Sequence, residues 1–167
     1  LVGEGQEALG GSLVDAVLGL GATAVPTPLY DPLPRYQAVH AAIAGGLITA
    51  AHDCSDGGVV LAIAEMALAA RAGVFVTVPS AGLDPLPALT NEAPGRLVLS
   101  ASRADRDAVD GALGVFGRRI GAVMTDDRIV VRVSDADPDA EGLDQGSPAI
   151  VECSIADAVE AFTGGAR

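Results

Sequence analysis

The stretch 59–71 constrains the fold most. It carries Val59, Val60, Leu61, Ile63, Met66 and Leu68 with alanines between them and one acidic group, Glu65. The spacing predicts a helix, and a helix apolar almost all round has to sit in the middle of a core. A run of 14 apolar or small residues, 57–70, interrupted by Glu65, is too short to span a bilayer. On its N-terminal side, residues 47–51 read as a short buried strand, and on its C-terminal side Gly73 ends the helix and 74–78 form a clear strand. The core built around this unit is unusual in kind. Half of the 167 residues are hydrophobic, yet aromatics make up 3% and Trp is absent, so Val, Leu and Ala carry the burial. The length suits one domain.

The remaining elements follow from local signals. Ser12-x-x-Asp15, Ser102-x-x-Asp105 and Ser154-x-x-Asp157 each fit a capping-box pattern and precede helices over 13–18, 103–113 and 155–162. Pro26, Pro28, Pro32 and Pro34 mark an extended loop, after which Tyr36, Val39, Ala42 and Ile43 have helical spacing up to Gly45-Gly46. A short helical turn is expected near 86–89 and a strand over 96–100. Residues 120–124 and 129–133 read as a β-hairpin turning at Asp126-Asp127. Residues 134–148 read as an acidic surface loop, 149–153 as a last strand, and the end of the chain as a tail without core material. The order is mixed, with no repeat or heptad: an α+β domain, a mixed β-sheet with helices packed against it. Residues 1–12 are assigned to the end of a preceding domain or a linker, and 13–167 to a single domain. Leu1-Val2-Gly3 read as the last residues of a strand, so the chain is expected to be a piece of a longer polypeptide, with apolar surface left uncovered.

Charge and cysteines narrow the function classes. Ten basic residues, all Arg, face 22 acidic ones, giving a net charge of −12. Such a surface repels nucleic-acid backbones and anionic membranes. No basic segment precedes an apolar stretch as in a signal peptide, and Cys54 and Cys153 form no C-x-x-C pattern, so a disulfide framework and a zinc knuckle are not expected. The chain reads as cytoplasmic.

Chemistry concentrates in His52-Asp53-Cys54-Ser55-Asp56-Gly57-Gly58. A strand ends in a loop with two carboxylates and a hydroxyl, and two glycines open the buried helix. Glycines permit close backbone approach, and a helix start offers free N–H groups and partial positive charge. Asp53 and Asp56 are of the type that holds Mg²⁺, and in an extended stretch Asp53 and Ser55 point the same way. The residues equally allow an ordinary N-cap with a tight strand-to-helix turn. With no Lys, the segment is not a Walker loop. His52 is read as orienting Asp53 or satisfying a backbone carbonyl, His40 as structural, Glu65 as paired with Arg96, and both cysteines as small core residues.

These residues carry a resemblance. Ala51 to Gly58, followed by Ala62-x-x-Glu65-Met66-Ala67, resembles the A-H-D-x-S-D-G-G…A-x-x-E-M-A signature of the C-terminal domain of phosphoribosylformylglycinamidine synthase, synthetase subunit, in the aminoimidazole ribonucleotide synthetase superfamily. Leu9-Gly10-Gly11-Ser12, Gly46-Leu47-Ile48, Glu92-x-x-x-Arg96 and Ile120-Gly121 are similar to further landmarks in the same order. Cys54 departs from the aliphatic residue or Arg usual there. The resemblance implies an aminoimidazole ribonucleotide synthetase C-terminal-domain-like fold and ATP- and glutamine-dependent amidation of formylglycinamide ribonucleotide in de novo purine synthesis, a carbon–nitrogen ligase. It implies Asp53 as a Mg²⁺ contact and Ser55, Gly57 and Gly58 as facing ATP or ADP, in a site completed by another domain and regarded as structural. No catalytic residue is expected within 1–167. The implied partners are the remainder of the synthetase chain and a glutaminase subunit or domain supplying ammonia. Alternatives are the same domain from a hydrogenase maturation protein, selenophosphate synthetase or thiamine monophosphate kinase, or a purely structural docking domain.

Overall fold

The computed structural model of the chain describes residues 1–135 and 147–164. Most of the expected acidic loop, 136–146, and the last three residues of the tail, 165–167, lie outside the described residues. In chain order come α1 (Leu13–Leu18), α2 (Leu33–Ala44), β1 (Ala50–Asp53), α3 (Gly58–Ala70), β2 (Gly73–Val78), α4 (Pro85–Thr90), β3 (Leu97–Ser100), α5 (Arg106–Leu113), β4 (Gly121–Met124), β5 (Arg128–Val133), β6 (Val151–Ser154) and α6 (Ile155–Gly164). The expected α+β class with mixed sheet holds. No helix among the described residues is long and apolar enough to cross a membrane.

The three Ser-x-x-Asp starts differ in detail. At α6, Asp157 N–H donates to Ser154 Oγ (3.0 Å) and Ser154 N–H donates back to Asp157 (3.4 Å), a reciprocal box. At α1, Asp15 N–H donates to Ser12 Oγ (3.2 Å), but Asp15 returns to Gly11 and Ala22 N–H instead. Ser102 caps a short 3₁₀ turn, Arg103–Asp105, through Ala104 N–H, and α5 starts only after it.

Four strands form one sheet in the order β4-β2-β5-β6, with β2 antiparallel to β4 and parallel to β5, and β5 antiparallel to β6. β1 and β3 pair antiparallel as a separate ribbon, Ala51 opposite Leu99. The expected hairpin of 120–124 with 129–133 is therefore wrong: β4 and β5 flank β2 instead of each other. The physical reason is visible at Gly73. Its N–H donates to the Asp126 carbonyl (2.9 Å), and a Cβ there would stand 2.5 Å from that oxygen. The link 125–127 thus arches over the start of β2, bridging two strand spacings, about 10 Å, rather than one. β2 is buried along nearly its whole length and needs a partner on both edges.

α3 is the central helix, as expected. Val59, Ala62, Ile63 and Ala67 pack with Val74, Val76 and Val78 of β2, Ile129 and Val131 of β5, and Val98 of β3. A second core gathers Val2, Val39 and Ala42 with Leu97, Leu99, Val109 and Leu113. Alternation along β3 splits its side chains between the two: Val98 to the α3 side, Leu97 and Leu99 to the α2–α5 side. The strand expected over 47–51 lies further on, and it is mostly exposed rather than buried, because among the described residues it has a strand partner, β3, on one edge only.

Candidate functional site

The site is the junction from β1 into α3. The displaced strand puts His52 and Asp53 at the end of β1, and only 54–57 form the turn. The turn has an inward and an outward half.

The inward half is tightly built. Cys54 is 5% exposed and its N–H donates to the Arg96 carbonyl (3.0 Å). Burial pushes its thiol up to about 11. Gly57 and Gly58 have φ of 76° and 68°. A Cβ on Gly58 would lie 2.6 Å from the Thr90 carbonyl carbon and 2.8 Å from the Asn91 oxygen. Glycine there lets the start of α3 lie against the backbone that ends α4. The two N–H groups are already engaged: Gly57 donates to Glu92 Oε1 (2.8 Å) and Gly58 to the Ser55 carbonyl (2.9 Å). Glu92 Oε1 also accepts Leu13 N–H (2.8 Å), so one carboxylate serves the starts of α1 and α3, where helix dipoles favour it.

The outward half is polar. The Ser55 hydroxyl donates to Asp53 Oδ2, so the two side chains do point the same way. That bond, with Asp53's own backbone N–H, holds the Asp53 carboxyl below the usual carboxylate range, and its side chain is 67% exposed. Asp56 is exposed as well. Among the described residues no group of three or more His, Cys, Asp or Glu is close enough to hold a metal ion by itself. One exposed, ionised carboxylate beside a hydroxyl nevertheless fits Mg²⁺, which commonly takes one or two protein carboxylates and fills its shell with phosphate and water.

His52 Nδ1 lies 2.7 Å from the Asp53 carbonyl, satisfying that backbone oxygen, and Nε2 lies 3.0 Å from Glu65 Oε2. Glu65 therefore pairs with His52, not with Arg96 as expected. Arg96 is buried just ahead of β3, against the end of α4, and spends its guanidinium on the carbonyls of Asn91 (3.1 Å) and Ala88 (3.4 Å). His40 is exposed on α2. Sequence reasoning missed two residues that shape the junction. Glu92 figured only as a landmark, and Asn91, fully buried, was passed over. Asn91 binds Ala8 through its amide and accepts Gln6 and Ala93 N–H, tying the first residues of the chain to the end of α4.

The fold and junction define an α+β domain in which a strand ends on a carboxylate–hydroxyl pair in front of a glycine-started buried helix. The profile described as AIR synthase related protein, C-terminal domain, matches residues 1–134, and the chain belongs to that family. Among curated proteins it is 44% identical over 96 residues, 53% of this chain, to "Phosphoribosylformylglycinamidine synthase subunit PurL" of Mesorhizobium japonicum. It spans only about 13% of the length of the curated relatives it matches. Among solved structures, phosphoribosylformylglycinamidine synthase II from Thermotoga maritima superimposes with a TM-score of 0.68 at 15% identity, covering 94% of this chain and 24% of that one. T. maritima PurL complexed with ATP does so with 0.59 at 18%, covering 73% and 20%. At these identities the structures speak for the fold alone.

Proposed function

We propose that this chain is the C-terminal domain of a PurL-type phosphoribosylformylglycinamidine synthase subunit and lends that enzyme a Mg–nucleotide-facing loop. The reaction is the ATP- and glutamine-dependent amidation of formylglycinamide ribonucleotide, carried out in the cytoplasm with ammonia from a glutaminase subunit or domain. The observation that carries the reading is the outward pair: an exposed Asp53, kept ionised by the Ser55 hydroxyl, at the head of a buried helix. In this reading Asp53 is the metal contact and Ser55 faces the nucleotide. Bound Mg²⁺ supplies neutralisation of phosphate charge. Gly57 and Gly58 contribute by bringing the turn against residues 89–92 rather than by baring N–H groups, since both donors are used within the chain. The catalytic residues lie in other parts of the enzyme.

Two measurements test this. The purified chain alone is expected to form no product from ATP, glutamine and formylglycinamide ribonucleotide, because positioning substrate and phosphate takes several convergent elements. In a full-length synthetase carrying this domain, Asp53→Asn should lower the Mg–nucleotide that copurifies while circular dichroism stays unchanged. Undiminished nucleotide in that variant would leave the junction a plain strand-to-helix turn.

A further inference from the structure

Two partly buried side chains behind the turn, His52 and Glu65, are joined to Asp53 by a line of hydrogen bonds. Glu65 lies two turns into α3, and Val59, Ala62, Ile63 and Ala67 fix that helix in the core. His52 sits on β1, opposite Val98 of β3. The imidazole bridges the two elements: Nε2 lies 3.0 Å from Glu65 Oε2, and Nδ1 lies 2.7 Å from the Asp53 carbonyl oxygen. A carbonyl oxygen can only accept, so Nδ1 carries a proton and is the donor. Turning the ring over would put Cδ2 in the place of Nδ1 and Cε1 in the place of Nε2, and both bonds would be lost at once. Glu65 therefore sets which edge of the ring meets Asp53.

We propose that Glu65 and His52 are positioning residues for Asp53: the pair locks the peptide unit that follows Asp53 and so aims its carboxylate at a divalent cation. The inference rests on the metal reading above and adds to it the device that holds the ligand still. The peptide unit between 53 and 54 is gripped at both ends. Its carbonyl accepts from His52, and its N–H, that of Cys54, donates to the Arg96 carbonyl (3.0 Å). This fixes the backbone on the C-terminal side of Asp53. The carboxylate itself is held by the Ser55 hydroxyl and by Asp53's own N–H. Among the bonds described for Asp53, the one from His52 leads to the body of α3, so it ties an exposed side chain to the most rigid element of the domain.

The energetics separate this role from plain stabilisation. The side chains of His52 and Glu65 are 34% and 33% exposed, so their contact is partly wet and adds little to folding. A cation ligand on a turn gains more from such a contact, because every rotamer and backbone state removed beforehand need not be removed on binding. Groups that orient a ligating side chain commonly change metal affinity about 10–100-fold when they are removed. The two ring nitrogens can also be replaced one at a time. In His52→Asn the amide nitrogen stands near the place of Nδ1 and can still donate to the Asp53 carbonyl. In His52→Gln it stands nearer the place of Nε2 and serves Glu65 instead. Glu65→Gln keeps an acceptor for Nε2, whereas Glu65→Leu frees the ring to turn over.

The test measures Mn²⁺ binding with ADP by electron paramagnetic resonance, in a full-length synthetase carrying this domain, per folded molecule. His52→Ala and His52→Gln are expected to weaken it about tenfold or more, His52→Asn to recover much of the loss, and Glu65→Leu to weaken it more than Glu65→Gln. A second readout needs no metal. In the chain alone, backbone order parameters at Cys54 and Ser55 should fall from about 0.85 toward about 0.6 in His52→Gln and stay high in His52→Asn. Equal Mn²⁺ affinity in the Ala, Gln and Asn variants, or unchanged order at Cys54 and Ser55 in His52→Gln, would overturn the proposal. A purely structural pair would lower the melting temperature of all three alike and leave the affinity of the folded fraction alone. Asp53→Asn separates the two readings. If it binds Mn²⁺ as the wild type does, the metal reading falls and this proposal with it. If it binds weakly while His52→Ala binds normally, only the positioning role falls.

Discussion

The two halves of the turn from β1 into α3 are adjacent in sequence and opposite in physical character. Cys54, Gly57 and Gly58 face inward, where backbone lies within van der Waals reach and all three N–H groups donate within the chain. Asp53 and Ser55 face outward and bond to each other. A signature of consecutive residues therefore mixes two kinds of requirement. The glycines are demanded by the fold of the isolated domain, whereas nothing in the domain's own packing demands an exposed carboxylate–hydroxyl pair.

Substitutions should separate the halves sharply. Gly58→Val is expected to have the largest effect. It drives a branched side chain into the Thr90–Asn91 backbone at positive φ, so loss of roughly 3 kcal/mol or more of stability is expected from overpacking and left-handed strain together. Chemical denaturation measures it, and a loss under 1 kcal/mol would mean that the α4 end yields easily. Glu92→Ala comes next. It strips acceptors from the starts of α1 and α3 at once, with an expected cost of about 1–3 kcal/mol. Glu92→Gln should recover part of it, since an amide oxygen still accepts.

The inward cysteine gives a pH signature. Its folded pKa is raised, from 9.0 to about 11, so the stability it contributes is complete below pH 9 and is lost as pH rises toward 11. Stability curves for the wild type and Cys54→Ala should therefore converge across that window, and parallel curves would show that the thiol is not desolvated as the structure has it. Asp53→Asn should disturb the fold least. The carboxyl is highly exposed, and the substitution should change the free energy of unfolding by about 0.5 kcal/mol or less. The sign is also fixed: a lowered carboxyl pKa favours the folded state above the normal carboxylate range, and that benefit fades as pH falls through it.

The sequence made the central helix, the strand after it and the register of Asp53 with Ser55 legible, because each rests on local periodicity. α1 was legible to the residue, from Ser12 as cap to Leu18 as its last residue. Pairing was not legible. Residues 120–133 have the local pattern of a hairpin, and only the competing demand of a doubly buried β2 opens it. The partner of Glu65 was missed for a similar reason: the shift of β1 that brings His52 within 3.0 Å of it has no signal in composition or spacing. Glu92 and Asn91 sit in a Thr-Asn-Glu-Ala-Pro run that reads as a loop, and their work on chain segments some 35 to 85 residues away is invisible until the chain is folded.

The insertion of β2 between β4 and β5 bears on how the chain reaches its native state. A local hairpin could zip in microseconds, but here β4 and β5 can close only around a strand that left the growing chain long before them, and Val74 must wait for Ile129 to pair in parallel. During synthesis β2, buried along nearly its whole length in the folded domain, stays unpaired on one or both edges until residue 133 has emerged. That interval is when the chain is most open to mispairing with its neighbours, and β5, rather than the helix that dominates the sequence, sets the moment at which it ends.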